Sequence, residues 1–440
     1  MAPNRTFAQI YHYFYAKVID FFPGRSSLVS ASAQNRVWTL QQCLDYAMEN
    51  NIQLKQNRNS YLSGLEDTEQ AKAALFPTLS ASTNQGVSAS PFVQNGNTVA
   101  YNGSYGVNSN MTLYNGGKLR TAIRQQEVLN ERDSLSIVQS AMDIEKSIVQ
   151  AYMQCLYAAD AVAVNESTVE LAQAQRDRAE QMWKAGSISK VDFAQLESQL
   201  FNNQYQLTVS RTNLDNYRLQ LKQLLELDIN EDMELAGIEA TEDDVLRLIP
   251  TKSIVYERAL EHMPEIASSE LDVTSAELSL KQAQAGYLPT VGLSAGIGTS
   301  NRSGAGNSFT NQILNNFNTN AGLTVSIPIF DGRKNKTAVN KAKISLDNSR
   351  LAAQSAQKTV LREVENAYLD AISAQAQYIS AREQEKYAAE SLNLTNEQFA
   401  LGMKNTVELI TAKNQYLSAQ QSLLQSKYTA LLNLAILDIY

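Results

Sequence analysis

Few side chains in this 440-residue chain have the types and spacing that catalysis or metal binding requires. The only histidines, His12 and His262, are too few and too scattered for a metal site or a serine–histidine pair. Cys43 and Cys155 form no C-x-x-C motif, and two buried thiols are favoured over a disulfide between them. No phosphate-binding or dinucleotide-binding glycine motif occurs. The sequence therefore predicts no enzyme, no cofactor and no metal site.

Two short polar segments have a mechanical rather than a catalytic pattern. Residues 186–192 read Gly-Ser-Ile-Ser-Lys-Val-Asp, and residues 402–408 read Gly-Met-Lys-Asn-Thr-Val-Glu. The Ser-x-x-Asp and Asn-x-x-Glu parts have the spacing of helix capping boxes, and a carboxylate in a first helical turn also interacts favourably with the helix dipole. Helix capping alone is therefore one explanation of Ser189, Asp192, Asn405 and Glu408.

The elements that carry these segments belong to an internal duplication. Pro77 aligns with Pro289, and Gly116 aligns with Gly332 at an offset of 216 residues. The same offset relates the two glycine segments. The chain divides into an N-terminal segment (1–36), a first repeat (37–230), an acidic connector (231–252) and a second repeat (253–440). The connector is interpreted as a solvated link rather than a binding motif.

Each repeat contains a segment almost without charge. Residues 78–115 contain no Asp, Glu, Lys or Arg, and residues 288–330 contain only Arg302. Both segments alternate apolar and polar residues with a period of two around a tip rich in Gly, Asn and Ser, which predicts two β-hairpins. The strand–helix junctions of these hairpins are expected at Pro77, Pro289, Gly116 and Gly332.

Long helices are predicted around each hairpin. A helix should begin at Thr39, which has capping-box spacing with Gln42, and should end near Phe76, before a proline. From Lys118 to about Ala185 there is neither proline nor glycine, which predicts roughly 100 Å of helix. Its apolar residues recur at alternating spacings of four and three, as do those of the second repeat, which is typical of coiled coils. After each glycine segment a further helix follows.

Charge and hydropathy narrow the class of protein. The net charge is −8 and no basic run occurs, so nucleic acid is not an expected partner. No stretch approaches the roughly 18–20 consecutive apolar residues of a membrane-spanning helix, so entry into a bilayer would require strands in a closed barrel. Four strands are too few to close one. Either several chains pool their strands or the hairpins form a soluble sheet, and the absence of charge favours the membrane.

The first 36 residues have a pattern that suggests export. Residues 31–33 read Ala-Ser-Ala, which signal peptidase could cut before Gln34, although charged residues interrupt the apolar segment upstream. The segment 1–36 is interpreted as an export signal, with a disordered start as the alternative.

The order of these parts resembles the TolC-like outer-membrane efflux and export factors. The resemblance rests on the Trp-Thr-Leu opening at 38–40, the Phe-Pro and Leu-Pro hairpin starts, the Tyr-Asn-Gly-Gly and Phe-Asp-Gly-Arg turns and the paired glycine breaks. It covers roughly residues 37–440. It implies a mostly α-helical fold with a β-barrel portion, in which three chains pool four strands each into a 12-stranded transmembrane barrel. The long antiparallel coiled-coil helices would form a periplasmic tunnel.

The resemblance also implies a function. The chain would be a channel-tunnel subunit in the outer membrane of a Gram-negative bacterium, giving passive exit to substrates in efflux or secretion. Its partners would be two more copies of itself, a periplasmic adaptor (membrane fusion) protein, an inner-membrane pump and outer-membrane lipid. The alternative is a periplasmic coiled-coil scaffold without a pore, which does not explain two uncharged hairpins. A lipid-anchored variant would need a cysteine at the mature N-terminus, whereas Cys43 lies inside the first helix.

Roles for individual residues follow from the same resemblance. The glycine segments would form the periplasmic end, which is closed at rest. Lys404 matches a basic residue linked to a neighbouring helix, and Asp192 matches its acidic partner. Glu408 matches the first of two acidic residues that ring the aperture, but Thr411 occupies the second position and departs from the pattern. The tips that meet the adaptor are expected at Gly186, Ser187, Gly402 and Met403.

Overall fold

The computed structural model describes residues 37–89, 99–238, 240–304 and 306–440. The predicted export segment and the tip of the first hairpin lie outside these residues. The first repeat contains β1 (Val37–Trp38), α1 (Leu40–Asn50), α2 (Ile52–Ala73), β2 (Thr78–Ala89), β3 (Val99–Tyr114), α3 (Lys118–Lys184) and α4 (Lys190–Leu224). The connector and the second repeat contain β4 (Glu234–Leu235), α5 (Glu242–Val245), α6 (Lys252–His262), α7 (Pro264–Gln284), β5 (Thr290–Arg302), α8 (Phe309–Asn315), β6 (Asn318–Ser326), α9 (Lys334–Ala400) and α10 (Thr406–Ile439).

The chain forms two compact units, and each combines parts of both repeats. The helical unit contains the described residues up to Arg58 together with Leu135–Ile266 and Gln357–Tyr440. The sheet unit contains Asn59–Ser134 and Ala267–Ala356. Among the described residues, no helix is both long enough and apolar enough to cross a membrane.

The two long helices are present as predicted. Helices α3 and α9 have 67 residues each, which corresponds to roughly 100 Å at the rise of an α-helix. Helices α3, α4, α9 and α10 begin at positions related by the offset of the duplication. In the helical unit, most of the predicted seam of small and branched side chains is buried, and its second-repeat part from Val360 to Ala371 packs with α6 and α10 in one core cluster. Its matched pairs include Ile144 with Val360, Ile148 with Val364, and Cys155 with Ala371.

The first predicted helix is divided in two. Thr39 begins α1 with the expected reciprocal capping box, in which its hydroxyl accepts from the backbone of Gln42 at 3.2 Å. Asn51 ends this helix, and its side-chain oxygen accepts from the backbone N–H of Leu54 in α2 at 3.2 Å. Its amide also donates to the carbonyl of Leu224 at 3.3 Å. One asparagine thus divides the helix, caps its second part and ties both to α4.

Both hairpins belong to one sheet in the sheet unit. The strand order is β2-β3-β5-β6, and every neighbouring pair is antiparallel. Val107 lies between Ala81 and Ile297, whereas Asn108 lies between Ser80 and Gly296, so one face is apolar and the other is small and polar. The large side chains of the apolar face are exposed; they include Leu79, Val87, Leu293, Leu323 and Val325. The alternation with period two is therefore confirmed.

The second hairpin differs from its prediction in two places. A short helix, α8, stands between its strands and begins at Ser308, whose hydroxyl accepts from the backbone N–H of Asn311 at 3.3 Å. The return strand β6 ends at Ser326, although the apolar alternation continues to Ile329. Pro328 has no backbone N–H to donate to a neighbouring strand, which explains the early end.

The connector is more ordered than a solvated link. Strand β4 pairs in parallel with β1, with Trp38 opposite Leu235. The Tyr152 hydroxyl donates to the carbonyl of Ala236 at 2.7 Å. Val245 of α5 is fully buried. The described acidic side chains of the connector are exposed as predicted, while its apolar residues anchor it in the helical unit.

The two cysteines are free and buried, as predicted. Cys43 lies in α1 and Cys155 lies in α3, both with almost no exposed surface. Burial raises the pKa of each thiol to about 12. The structural role of both side chains is therefore that of small apolar groups in the core.

Candidate functional site

The first glycine turn closes α3 with a hydrogen-bond pattern that requires glycine. The N–H of Gly186 donates to the carbonyl of Trp183 at 2.9 Å, and the N–H of Ser187 donates to Met182 at 2.8 Å. This pair of bonds is the Schellman motif, which places the glycine in the left-handed region. Gly186 has φ +75°, and a Cβ there would meet no atom within 4 Å, so its backbone angle alone demands glycine.

The second glycine turn repeats this geometry at the end of α9. The N–H of Gly402 donates to Phe399 at 3.0 Å, and the N–H of Met403 donates to Gln398 at 2.9 Å. Gly402 has φ +73°, and a Cβ at this position would also meet no atom within 4 Å. Both repeats therefore contain the same Schellman motif at this turn.

Both turns lead into capped helices, as the spacing predicted. The Ser189 hydroxyl accepts from the N–H of Asp192 at 3.1 Å and donates to its carboxylate at 2.7 Å. Asn405 forms the full reciprocal box, since its side chain accepts from the N–H of Glu408 at 2.9 Å and its own N–H donates to that carboxylate at 3.1 Å. Each carboxylate thus has a structural role at a helix N-terminus.

The candidate gating residues form two separate contacts. Lys404 pairs with Glu408 one turn along the chain, and this hydrogen bond, followed by that from the Asn405 backbone, lowers the pKa of Glu408. Hydrogen bonds from Ser189 and Thr406 lower the pKa of Asp192. The structure therefore brings Lys404 to Glu408, and Asp192 to the first residue of α10. The link between Asp192 and Lys404 in the assembled protein stays a prediction.

Thr411, which stands where a second acidic residue was expected, takes part in neither contact. Its hydroxyl donates to the carbonyl of Val407 at 2.8 Å, one turn earlier in the same helix. Its side chain is exposed and carries no charge. The acidic group of this segment is therefore Glu408.

The predicted docking tips are exposed. Gly186, Ser187, Gly402 and Met403 all lie at the surface, and 70% of the Met403 side chain is accessible. Further apolar surface surrounds each tip, at Leu401, Val191 and Val407.

The strand–helix junctions are fixed by glycine and by Asx caps in the sheet unit. Gly116 has φ +69°, and a Cβ there would lie 2.9 Å from Leu288, so both the backbone and the space require glycine. Gly332 has φ +61° in open space. The side chain of Asn115 accepts from the N–H of Leu119 at 3.2 Å and begins α3. The two prolines, Pro77 and Pro289, lie directly before β2 and β5.

Sequence reasoning missed a cavity in the helical unit. It has a volume of about 410 Å³ and is lined by residues of α3, α4, α9 and α10. Lys413 of α10 lines it, and burial lowers the pKa of its ammonium group to about 8. The only signal in the sequence was a lysine within an otherwise uncharged stretch, which does not reveal four helices around it. Within the described ranges, no group of three or more His, Cys, Asp or Glu could hold a metal ion.

Comparison with known proteins gives a family match and matching folds. The family model described as outer membrane efflux protein matches residues 43–226 and again residues 255–438, one match in each repeat. The chain is 24% identical to outer membrane protein TolC of Escherichia coli (strain K12) over 92% of this chain and 83% of that protein. It is 23% identical to alkaline protease secretion protein AprF of Pseudomonas aeruginosa, over 90% of this chain and 82% of that protein.

Two solved structures share the fold. CusC superposes with a TM-score of 0.78 over 94% of this chain and 96% of that chain, at 17% identity. The open state of the MtrE outer membrane channel of Neisseria gonorrhoeae superposes with a TM-score of 0.74 over 93% of both chains, at 20% identity.

Proposed function

The chain belongs to the outer membrane efflux protein family, and we propose that three copies of it assemble into one exit duct. As a member of this family it is an outer-membrane channel of a Gram-negative bacterium that extends into the periplasm and serves efflux or secretion. The family consists of channels rather than enzymes. A periplasmic scaffold without a pore is therefore not the function of this chain.

The observation that carries the trimer is the four-stranded sheet. Its outer strands in the described part of the chain are β2 and β6, and one of its faces exposes large apolar side chains. In lipid, backbone groups at a sheet edge must pair, because no water is available to them. Pairing β6 of one copy with β2 of the next satisfies both edges. Three copies supply twelve strands, more than the roughly eight of the smallest transmembrane barrels.

The proposed partners follow from the passive action of an exit duct and from the apolar surface that its tips expose. An exit duct moves its cargo passively, so an inner-membrane pump would supply the energy and a periplasmic adaptor would join the two. The exposed apolar surface around Met403 and Leu401 suits a contact with such an adaptor. The relatives include an alkaline protease secretion protein and a cation efflux system protein, so cargo differs between similar ducts. We infer that the pump selects the cargo.

The oligomeric state and the pore can be tested on the purified protein. Light scattering of the detergent-solubilised chain should give a mass of three copies, after subtraction of the detergent. Planar-bilayer recordings should show ion-conducting channels. A monomer that inserts without conducting current would contradict the proposal.

The proposed gate lies at the two glycine turns. Three Glu408 carboxylates close to a threefold axis would repel one another and attract cations. Lys404 already forms an ion pair with Glu408 within each chain, which reduces this repulsion. We propose that Lys404 and Asp192 together hold the turns in the closed arrangement.

Single-channel conductance tests the gate with a matched control. Lys404→Ala should increase the conductance, because the Glu408 carboxylates lose their counter-charge and the turns separate. Lys427→Ala removes the same charge from α10, far from the turn, and should leave the conductance as in the wild type. A Lys404→Ala channel that stays closed would contradict a role for this lysine in closure.

A further inference from the structure

The cavity in the helical unit has the composition of a binding site for a small molecule. Its volume of about 410 Å³ lies within the range of roughly 300–1,000 Å³ that ligand pockets occupy. The chain has two helical hairpins, α3 with α4 and α9 with α10, and all four helices contribute to the walls of the cavity. These walls are mainly apolar. The apolar wall includes Leu171, Leu196, Leu392, Leu409, Ile410 and Leu417.

One charged side chain enters this apolar space. Lys413 is the one charged residue among the described residues that line the cavity. Burial is the cause of its lowered pKa, and Lys413 forms no ion pair within the part of the chain that the structure describes. Placing an ammonium group in apolar surroundings is costly unless an opposite charge accompanies it. The cavity therefore favours an anion beside Lys413.

The two repeats carry different charges at this place. The residue of the first repeat that matches Lys413 is Glu197, and the residue that matches Leu392 is Arg176. In the first repeat these two form an ion pair at 3.3 Å between α3 and α4. In the second repeat the matching pair is a leucine and a lysine, and both line the cavity. The position that gives Glu197 its charged partner is therefore a leucine in the second repeat.

We propose that this cavity binds a small amphipathic organic anion, with an aromatic or aliphatic body and one carboxylate or sulfonate group. The acidic group pairs with Lys413, and the body contacts the leucines. Amide side chains that line the cavity supply further hydrogen bonds. Among them, Gln199 of α4 donates to Asn414 of α10 at 3.3 Å, so the wall of the cavity already joins the two helical hairpins.

A bound anion would act as a brace between the hairpins. It contacts α3 and α4 of the first repeat on one side, and α9 and α10 of the second repeat on the other. Any movement that separates these hairpins would have to break its contacts. An effect of the ligand on opening rests on the proposed function, whereas binding itself does not.

Equilibrium dialysis of the full-length protein in detergent tests the binding. The probe is naphthalene-2-sulfonate, and dialysis against detergent alone accounts for uptake by micelles. We expect saturable binding with one probe per chain. Lys413→Gln should weaken the affinity about tenfold or more, the scale of a lost hydrogen-bonded charge pair. Lys413→Arg should retain binding, and Lys427→Gln should bind as the wild type does.

Two further measurements separate a site from general adsorption. Leu392→Trp fills the cavity while leaving Lys413 in place, and it should abolish saturable binding. The neutral probe 2-naphthalenemethanol should not distinguish the wild type from Lys413→Gln. Circular dichroism shows whether each variant is folded.

Three outcomes would overturn the proposal. Absence of saturable binding to the folded wild type is one, including the case in which an acidic side chain of a neighbouring copy occupies the cavity. Equal affinity of the wild type and Lys413→Gln is the second. Undiminished binding by folded Leu392→Trp is the third. None of these outcomes affects the proposed exit duct, which light scattering and conductance test separately.

Discussion

The two helical hairpins of this chain, α3 with α4 and α9 with α10, share a backbone and differ in their side chains. Both turn at a left-handed glycine within a Schellman motif, and both second helices begin at a polar N-cap. Across the first hairpin, Arg176 pairs with Glu197. At the matching positions of the second, Leu392 and Lys413 line a cavity. Backbone hydrogen bonds therefore define the hairpin, while the side chains at its positions are free to diverge.

The turns themselves diverge in the same way. In the first, Asp192 accepts hydrogen bonds from Ser189 and from Thr406 of the other hairpin. In the second, Glu408 closes a reciprocal capping box with Asn405 and pairs with Lys404. One carboxylate therefore joins two hairpins, and the other stabilises only its own turn.

The largest expected difference between the two hairpins comes from a buried acidic residue that the first contains and the second does not. Glu145 of α3 matches Leu361 of α9. Burial raises the pKa of Glu145 from 4.5 to about 7. Between these values the folded state binds more protons than the unfolded chain, so stability falls as pH rises through this window and the full penalty applies above pH 7. Glu145→Leu should therefore raise the free energy of unfolding by about 3 kcal/mol at pH 8.

Chemical denaturation at pH 8 and pH 5 measures this gain. Glu145→Gln is the matched control, since it removes the charge and keeps the shape of the side chain. For both variants the gain should be smaller at pH 5, where the folded wild type is largely protonated. A gain that is equal at the two pH values would show that packing, rather than charge, separates the two hairpins here.

The shared backbone predicts equal sensitivity at the two glycines. Gly186→Ala and Gly402→Ala each place a methyl group in the left-handed region without a contact to neighbouring residues, because nothing lies within 4 Å of the new Cβ. Each should lower the free energy of unfolding by about 1–2 kcal/mol. Urea unfolding of the two variants measures the costs. If the two losses of unfolding free energy differed by more than about 1–2 kcal/mol, the two turns would not share one backbone requirement.

The N-caps should show the smallest difference. Ser189→Ala and Asn405→Ala each remove a side chain that accepts from the first turn of a helix, at a cost of about 1 kcal/mol. Asn405→Asp is the control that keeps an acceptor, and it should be nearly neutral. A larger loss of stability for Ser189→Ala than for Asn405→Ala would show that this serine also positions Asp192, which joins the two hairpins. An unchanged stability in both variants would refute the capping role.

Most of the fold could be predicted because its signals are local. Proline and glycine mark the ends of α2, α3 and α9, and alternation with period two marks the strands. The break at Asn51 could not be predicted, because its side chain bonds to the carbonyl of Leu224, far away in sequence. The helix α8 was hidden within a tip rich in Gly, Asn and Ser that resembles an ordinary loop.

The candidate site could be predicted only in part. Capping spacing gave the partners of Ser189 and Asn405. The spacing of four residues between Lys404 and Glu408 also indicates an ion pair, whereas the family resemblance pairs Lys404 with Asp192. The cavity around Lys413 depends on four helices meeting in space, and no periodicity in a single helix reveals that. The match between the repeats does reveal that Lys413 stands where the first repeat has Glu197, and Leu392 where it has Arg176.

The two buried thiols make this chain convenient for spectroscopy. A thiol reacts with alkylating reagents as its thiolate, and with pKa values of about 12 both Cys43 and Cys155 hold almost none of it near neutral pH. We therefore expect the native protein to react with maleimide dyes hardly at all near neutral pH. New cysteines at the exposed positions Ser187 and Met403 could be labelled selectively without removing the native pair. Fluorescence transfer between them would then follow the separation of the two turns in the intact protein.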